Sequence, residues 1–350
     1  IDAIPNDVHF EHGDLWGLNG TNGIHAEEAW DISTGSNIVV GVMDTGIQGD
    51  HPDLSALISD GDLHRDCTNS PITAVNSINL VDPNGHGTHV AGIIGAHVNN
   101  SIGVSGVCWN IELVSLRFFD ETGSGNSGSI VRAINYATSQ GIPILNLSGG
   151  FTGYDSSIES AIANYNGTLV CAAGNGGEDS IGDNNDVVHH YPSDYSYNQA
   201  YSDRVISVGA INRSANKTGF SNYGQNTVSI YAPGDDILST YPQNFCTGER
   251  VSTAYGMKLK CECKWQIIDS ESDTWGWVQS STHHADGYHF MSGTSMAAPH
   301  VAGVAALMLS ENPSLLGSEL KCSLINNSDI ITINTPEGMQ TCLLYTSDAA

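Results

Sequence analysis

Short apolar, β-branched runs recur along this chain with helix-like stretches between them, and that alternation limits the fold more than any other feature. Ile38 to Met43, Ile111 to Arg117, Ile142 to Leu147, Thr168 to Ala173 and Val205 to Val208 are nearly continuous in apolar residues, the pattern of strands buried on both faces. His86 to Ala96, Ser129 to Gln140, Ser156 to Tyr165 and Ser295 to Ser310 are compatible with helices. The expectation is an α/β fold in three layers, a central and mainly parallel β-sheet flanked by helices. In such a sheet the ligand crevice lies beyond the carboxyl ends of the strands. Asp44 directly follows one predicted strand, and Asn175 follows another across a short Ala-Gly turn.

The 350 residues, 40% of them hydrophobic, suffice for a sizeable core in one large domain or two small ones. No apolar run approaches the roughly 20 residues that span a bilayer, so no membrane partner is expected. Acidic residues outnumber basic ones by 38 to 11, giving a formal net charge of -27. Such a surface repels nucleic-acid phosphates and anionic lipids, and no nucleic-acid partner is expected. Three readings of the charge stay open: a solubilising face, an adaptation to salt, or a field that draws cationic peptides and calcium. The missing initial Met and apolar signal region lead us to expect a processed or trimmed form.

Eight cysteines are too few for a disulfide scaffold and more than a cytosolic enzyme usually carries. Cys171, inside the apolar run Leu169 to Ala173, reads as a buried free thiol. Cys67, Cys108, Cys246, Cys261, Cys263 and Cys322 are candidates for bridges in an oxidising compartment, and sequence does not give their pairing.

Composition shifts once, between Phe245 and Phe290, where Trp, Cys, Glu, Asp and His accumulate. We read residues 246–288 as an insertion in a loop of one domain, residues 1–335. Within it, Lys264 to Asp269 and Thr274 to Gln279 alternate apolar and polar around Ser-Glu-Ser-Asp, a hairpin pattern. Trp265, Trp275 and Trp277 suit a small core of its own. His283, His284 and His289 with Cys261 and Cys263 invite a zinc reading, but Cys-x-Cys without a matching second pair is weak support. Residues 343–350 lack periodicity and read as a non-native tail, with Cys342 at the same junction.

Three motifs occur in order: Val42-Met43-Asp44-Thr45-Gly46, then Asn84 to Gly92 around His86, then Gly293 to Gly303 around Ser295. A serine hydroxyl is a poor nucleophile without a base in hydrogen-bond reach. An imidazole suits that task because its ordinary pKa is near neutrality. The imidazole in turn needs a carboxylate to fix its tautomer and stabilise its protonated form. Gly85 and Gly87 allow close backbone approach at a strand-to-helix turn. Ser295 opens an apolar helical stretch whose dipole would face a developing oxyanion. Pro299 is tolerated near the first turn, and Asn312-Pro313 supplies a stop.

These motifs, with Ala172-Ala173-Gly174-Asn175-Gly176, resemble those of the subtilisin-like serine proteases (subtilases), their thermitase-type members most. The resemblance runs from about Pro5 to Pro313, interrupted by the insertion. It implies a subtilisin-like fold and a secreted, extracellular endopeptidase of broad specificity, with Asp44, His86 and Ser295 as the triad and Asn175 in the oxyanion hole. It also implies protein and peptide substrates, an inhibitory pro-region that is cut away, and a monomer. His89, His300 and His51 lie beside motifs and are read as structural.

The resemblance further implies structural Ca2+. Side-chain oxygens would come from Asp7, Asp53 and Asn100, and carbonyls from Val98, Ile102 and Val104, oxygens of the kind calcium takes. An extended substrate would lie between segments near Ser124 to Ser127 and Leu147 to Gly150, with Ser124, Gly125, Ser148, Gly149, Ala172 and Gly174 as the substrate-binding residues. Asn146-Leu147-Ser148-Gly149-Gly150 lacks one residue of the family pattern, which leaves the S1 and S4 pockets undefined. Glu178, Asp179, Asp183 and Asp186 form either a solvated loop, which we favour, or a pocket base for a cationic P1 side chain. Two other classes remain: a pseudo-enzyme that binds peptides, and an interaction protein whose working part is the insertion.

Overall fold

The computed structural model describes residues 4–176, 181–197, 203–243, 287–315 and 317–335, with the backbone of 250–253, 256–261, 264–267, 283–284 and 338–344. Its helices are α1 (Val8–Glu11), α2 (Trp16–Asn19), α3 (Ala26–Trp30), α4 (His86–Gly95), α5 (Ser127–Gln140), α6 (Ser156–Asn164), α7 (Thr294–Glu311) and α8 (Ser318–Asn326). The strands begin with β1 (Val39–Asp44), β2 (Arg65–Asp66), β3 (Thr73–Ala74), β4 (Glu112–Arg117), β5 (Ile144–Leu147), β6 (Thr168–Ala172), β7 (Val205–Ile211) and β8 (Ile230–Pro233). They continue with β9 (Ile237–Thr240), β10 (Arg250–Thr253), β11 (Gly256–Cys261), β12 (Lys264–Ile267), β13 (His283–His284), β14 (Tyr288–Met291), β15 (Asp329–Thr335) and β16 (Gly338–Leu344).

The main sheet runs β15-β16-β8-β7-β6-β5-β1-β4-β2-β3. Its interior pairs are parallel, and only the outer pairs β15–β16 and β2–β3 are antiparallel. Alternation along each strand divides the apolar side chains between two cores, because successive side chains point to opposite faces. Val40, Val42, Ile144, Val170, Ala172, Ile206 and Val208 join a core with α3, α4, α7 and α8. Met43, Leu145, Leu147, Leu169 and Cys171 join the other with α5 and α6. Helices therefore cover both faces, as the continuous apolar strands require. Helix α7 is apolar all round and buried along nearly its whole length, passing under β5 to β8.

The chain places β4 on one side of β1 and β5 on the other. That reversal opens a crevice at the carboxyl ends of these strands.

One expectation changes, the bridging of Cys67, Cys108 and Cys322. Lys264–Ile267 is a strand, as the hairpin pattern expects, and it pairs with β11; residues 274–279, its expected partner, lie outside the described residues. Strand β16 runs through Leu343 and Leu344 and pairs with β15; the rest of the segment read as a non-native tail, residues 345–350, lies outside the described residues. Cys67 and Cys108 are buried free thiols like Cys171, and Cys322 is free and exposed. Burial pushes the Cys67 thiol up to about 12 and raises the Cys108 thiol further, while its Sγ donates to the Gly303 carbonyl at 3.1 Å. Cys246, Cys261 and Cys263 are not described at the side-chain level.

Candidate active site

Asp44 ends β1, and the chain then turns to leave the sheet. Its carboxylate is fully buried, and Oδ1 accepts from His86 Nδ1 at 2.7 Å and from the Thr45 amide at 2.7 Å. A carboxylate only accepts, so Nδ1 carries the ring proton and Nε2 keeps its lone pair. Asp44 Oδ2 is buried without a hydrogen-bond partner among the described residues. Its charge therefore gains more from an imidazolium next to it than a fully solvated carboxylate would.

His86 opens α4 at 21% side-chain exposure. Gly85 before it has φ +100°, and a side chain there would strike the Tyr241 ring. A side chain on Gly87 would strike the Gly46 carbonyl. Burial of the His86 ring opposes protonation, but the Asp44 carboxylate, by charge and hydrogen bond, and Asp82, by charge, outweigh it and raise its pKa above the usual imidazole value.

Asp82 was not singled out in the sequence, and it organises this turn. Its Oδ1 accepts from Thr45 Oγ1 (2.8 Å), the Asn84 amide (3.0 Å) and the Gly85 amide (2.9 Å). Its Oδ2 accepts from the Thr88 amide and hydroxyl, both at 2.8 Å. Thr45 Oγ1 in turn accepts from the Gly87 amide at 3.0 Å. One buried carboxylate thus serves the amides that begin α4 and ties them to the residue after Asp44. Asp-Pro-Asn-Gly before a helix was the available signal.

Ser295 is the second residue of α7 and is half-buried. Pro299 lies deeper than the first turn, so it removes the amide that would bond the Ser295 carbonyl. Ser148 Oγ takes that place, donating to the Ser295 carbonyl at 2.9 Å, while Ser295 Oγ donates to the Ser148 carbonyl at 3.2 Å. Two reciprocal bonds lock the start of α7 to the segment after β5. In this structure the Ser295 hydroxyl rests on Ser148 rather than on His86.

Asn175 follows β6 and is exposed. Its Oδ1 accepts from the Thr294 amide (2.8 Å) and hydroxyl (3.0 Å). Thr294 Oγ1 also accepts from the Gly174 amide at 3.2 Å. With the oxygen fixed, the Asn175 Nδ2 donor lies beside Gly293, as does the Ser295 amide.

A cleft of about 730 Å³ extends from His86, lined among others by Ser124, Gly125, Ser148, Gly149 and Phe119. Phe119 lies between the two flanking segments, since side chains on Gly125 or Gly149 would meet its ring. Ala172 and Gly174 do not line this cleft and are buried. The half-buried His190 ring stands between Gly150 and Gly174, where burial lowers its pKa to about 4. Sequence reasoning missed it, because nothing local marks a residue that acts by filling space between distant glycines. Asp186 is engaged by the Asn226 and Thr227 amides and the Thr227 hydroxyl, while Glu178 and Asp179 lie outside the described residues.

His89, His300 and His51 are buried, with ring nitrogens on the backbone carbonyls of Ile237 and His289, of Met296, and of Gly287. Burial lowers His89 to about 3 and His300 to about 4.

At the amino-terminal side, Asp7 and Asp53 are fully buried carboxylates set against residues 98–104. Asp7 accepts from the Asn99 and Asn100 amides, each at 3.0 Å. Asp53 accepts from Asn100 Nδ2 at 2.6 Å and the Val104 amide at 2.9 Å. Burial raises the Asp53 carboxyl to about 6, its hydrogen bonds oppose this, and the Asp7 charge adds to it. Two mutually repelling buried carboxylates and several loop oxygens make a donor set that suits a hard cation.

The Subtilase family model (Peptidase S8) matches residues 35–342. The chain belongs to the subtilase family. Thermitase of Thermoactinomyces vulgaris is 32% identical over 331 residues, covering 94% of this chain and 92% of thermitase. Subtilisin DY of Bacillus licheniformis is 33% identical over 291 residues, covering 82% of each. Among solved structures, a protease of Pseudoalteromonas arctica superposes with a TM-score of 0.68 at 28% identity, covering 93% of each chain. A cold-adapted subtilisin-like serine proteinase gives 0.62 at 27%, covering 90% of each. This subtilase is a serine endopeptidase, a hydrolase acting on proteins, with the α/β architecture described above. No helix among the described residues is long and apolar enough to cross a membrane.

Proposed function

We propose that this subtilase is a secreted, monomeric endopeptidase of broad specificity that works through Asp44, His86 and Ser295. The observation that carries this reading is the buried 2.7 Å bond from His86 Nδ1 to Asp44 Oδ1, which leaves Nε2 free to act as a base. Ser295 leaves the Ser148 carbonyl, gives its proton to His86 Nε2 and attacks the scissile carbonyl carbon. Asp44 stabilises the imidazolium. Asn175 Nδ2 and the Ser295 amide donate to the tetrahedral oxyanion. His86 then protonates the leaving amine, and water releases the acyl group by the same steps. A fluorophosphonate should label Ser295 alone and abolish cleavage; labelling elsewhere, or turnover that survives it, would count against this assignment.

The pH profile provides a second check. His86 works as a base only when neutral, and its raised pKa means that kcat/KM should fall on acidification at a midpoint above the usual imidazole value of about 6.5. In Asp44→Asn the positive shift is removed, so the midpoint should move down as the rate collapses. A midpoint unmoved by that substitution would separate the acid limb from His86.

Extended substrate would pair with the backbone of residues 124–127 and 148–150, giving broad specificity with pocket preferences added. A neutral His190 between Gly150 and Gly174 supports a pocket that does not recruit cationic P1 side chains. A protease this permissive requires restraint until it leaves the cell, which argues for an inhibitory pro-region and for export. Residues 1–335 would form the peptidase domain, with 246–288 inserted near the primed side of the cleft.

Calcium fits the donor set at Asp7, Asp53, Asn100 and the carbonyls of Val98, Ile102 and Val104. Asn100 now directs its NH2 at Asp53, so its amide must turn to offer oxygen. The ion would supply stability rather than chemistry. In a Ser295→Ala background that prevents autolysis, EGTA should lower Tm by about 5–10 °C, as expected for loss of a tightly bound ion. Asp53→Ala should erase the difference between calcium and EGTA, and equal melting of the parent in both would remove the site.

A further inference from the structure

We propose that His9, His12 and Asp14 form a surface site for a divalent transition ion, with zinc the best match. None of the three is a proposed calcium donor or lines the crevice of His86. One ligand atom from each of the three lies within 4.8 Å of the others. His9 Nδ1 is already 2.8 Å from Asp14 Oδ2. Zinc takes imidazole and carboxylate ligands at about 2.0–2.1 Å, so neighbouring tetrahedral ligand atoms lie about 3.3 Å apart. The His9–Asp14 pair must therefore open slightly and His12 must swing in. His12 is exposed and has room to do so. Two imidazoles and one carboxylate suit zinc better than calcium or magnesium, which prefer all-oxygen shells. Water would complete the shell.

The backbone prearranges this cluster. Asp7 starts α1, its carboxylate held by the loop amides of Asn99 and Asn100. The His9 amide donates to the Gly103 carbonyl at 2.9 Å, and the Asp14 amide donates back to the His9 carbonyl at 3.0 Å. Gly13, at φ +75°, makes the reversal that returns Asp14 to His9. The His9 ring packs against Tyr288 at 5.7 Å between centroids, which restricts its rotation. Metal binding requires the His9 tautomer that carries its lone pair on Nδ1. The formal charge of -27 favours any cation at the surface.

The test uses the full chain as Ser295→Ala, saturated with calcium. Zinc is titrated by calorimetry, and Co2+ is followed by its visible bands, which report tetrahedral nitrogen and oxygen ligation. His12→Ala and Asp14→Asn should each remove one zinc equivalent, or weaken it at least tenfold, and lose the matching Co2+ absorption. His189→Ala breaks a comparable but two-membered pair, His189 Nδ1 to Asp194 Oδ2 at 3.1 Å, and should leave that equivalent intact. Unchanged stoichiometry and affinity in both His12→Ala and Asp14→Asn, or equal loss in His189→Ala, would overturn the proposal. Because the parent variant lacks Ser295, failure here says nothing against the catalytic assignment.

Discussion

His86→Ala should lower kcat by about 10⁶-fold, the size known for subtilisin itself. The reason lies in the coupling of the three groups. Without the imidazole, the Ser295 hydroxyl has no acceptor able to take its proton during attack, and the buried Asp44 carboxylate keeps only the Thr45 amide as a donor among the described residues. The double variant His86→Ala, Ser295→Ala should be no slower than either single one, because a unit that has already failed cannot fail twice. Hydrolysis of a chromogenic peptide, with circular dichroism to verify folding, measures both quantities. A loss below about 10²-fold, or losses that multiply in the double variant, would sink the assignment.

The proposed catalytic residues could be named from sequence because each sits in a short local motif. Asp44, His86 and Ser295 each lie where an apolar strand or helix meets small residues, and strand ends of a parallel sheet meet at one rim. The sheet was legible for the same reason: β1, β4, β5, β6 and β7 are continuous apolar runs. The missed features depend on contacts between segments far apart in the chain. The reciprocal bonds of Ser148 and Ser295 span 147 residues, and they depend on a carbonyl that Pro299 leaves open. His190 acts by standing between Gly150 and Gly174, which no spacing rule anticipates. Asp82 carried a capping signature, yet its reach to Thr45 required the folded turn. Cys67 and Cys108 were open to bridging because sequence does not state which sulfurs the fold brings within bonding distance, and in the fold they are free thiols.

Asn175→Ala should lower kcat by about 10²–10³-fold, roughly 3–4 kcal/mol of transition-state stabilisation, the size known for the corresponding change in subtilisin. KM should change little, because the donor meets full negative charge only in the tetrahedral state. That prediction alone does not separate an oxyanion donor from a structural anchor, since Asn175 also holds the Thr294 amide and hydroxyl. Asn175→Asp does separate them. The aspartate keeps an oxygen for Thr294, so an anchoring role predicts near-normal turnover. A donor role predicts the reverse: the NH2 becomes a carboxylate oxygen facing the developing oxyanion, and like charges repel where attraction is needed. The loss in Asn175→Asp should therefore equal or exceed that in Asn175→Ala, with melting temperature close to the parent in calcium. A rate for Asn175→Asp within a few-fold of the parent would instead make Thr294 the purpose of Asn175 and leave the oxyanion to backbone amides alone.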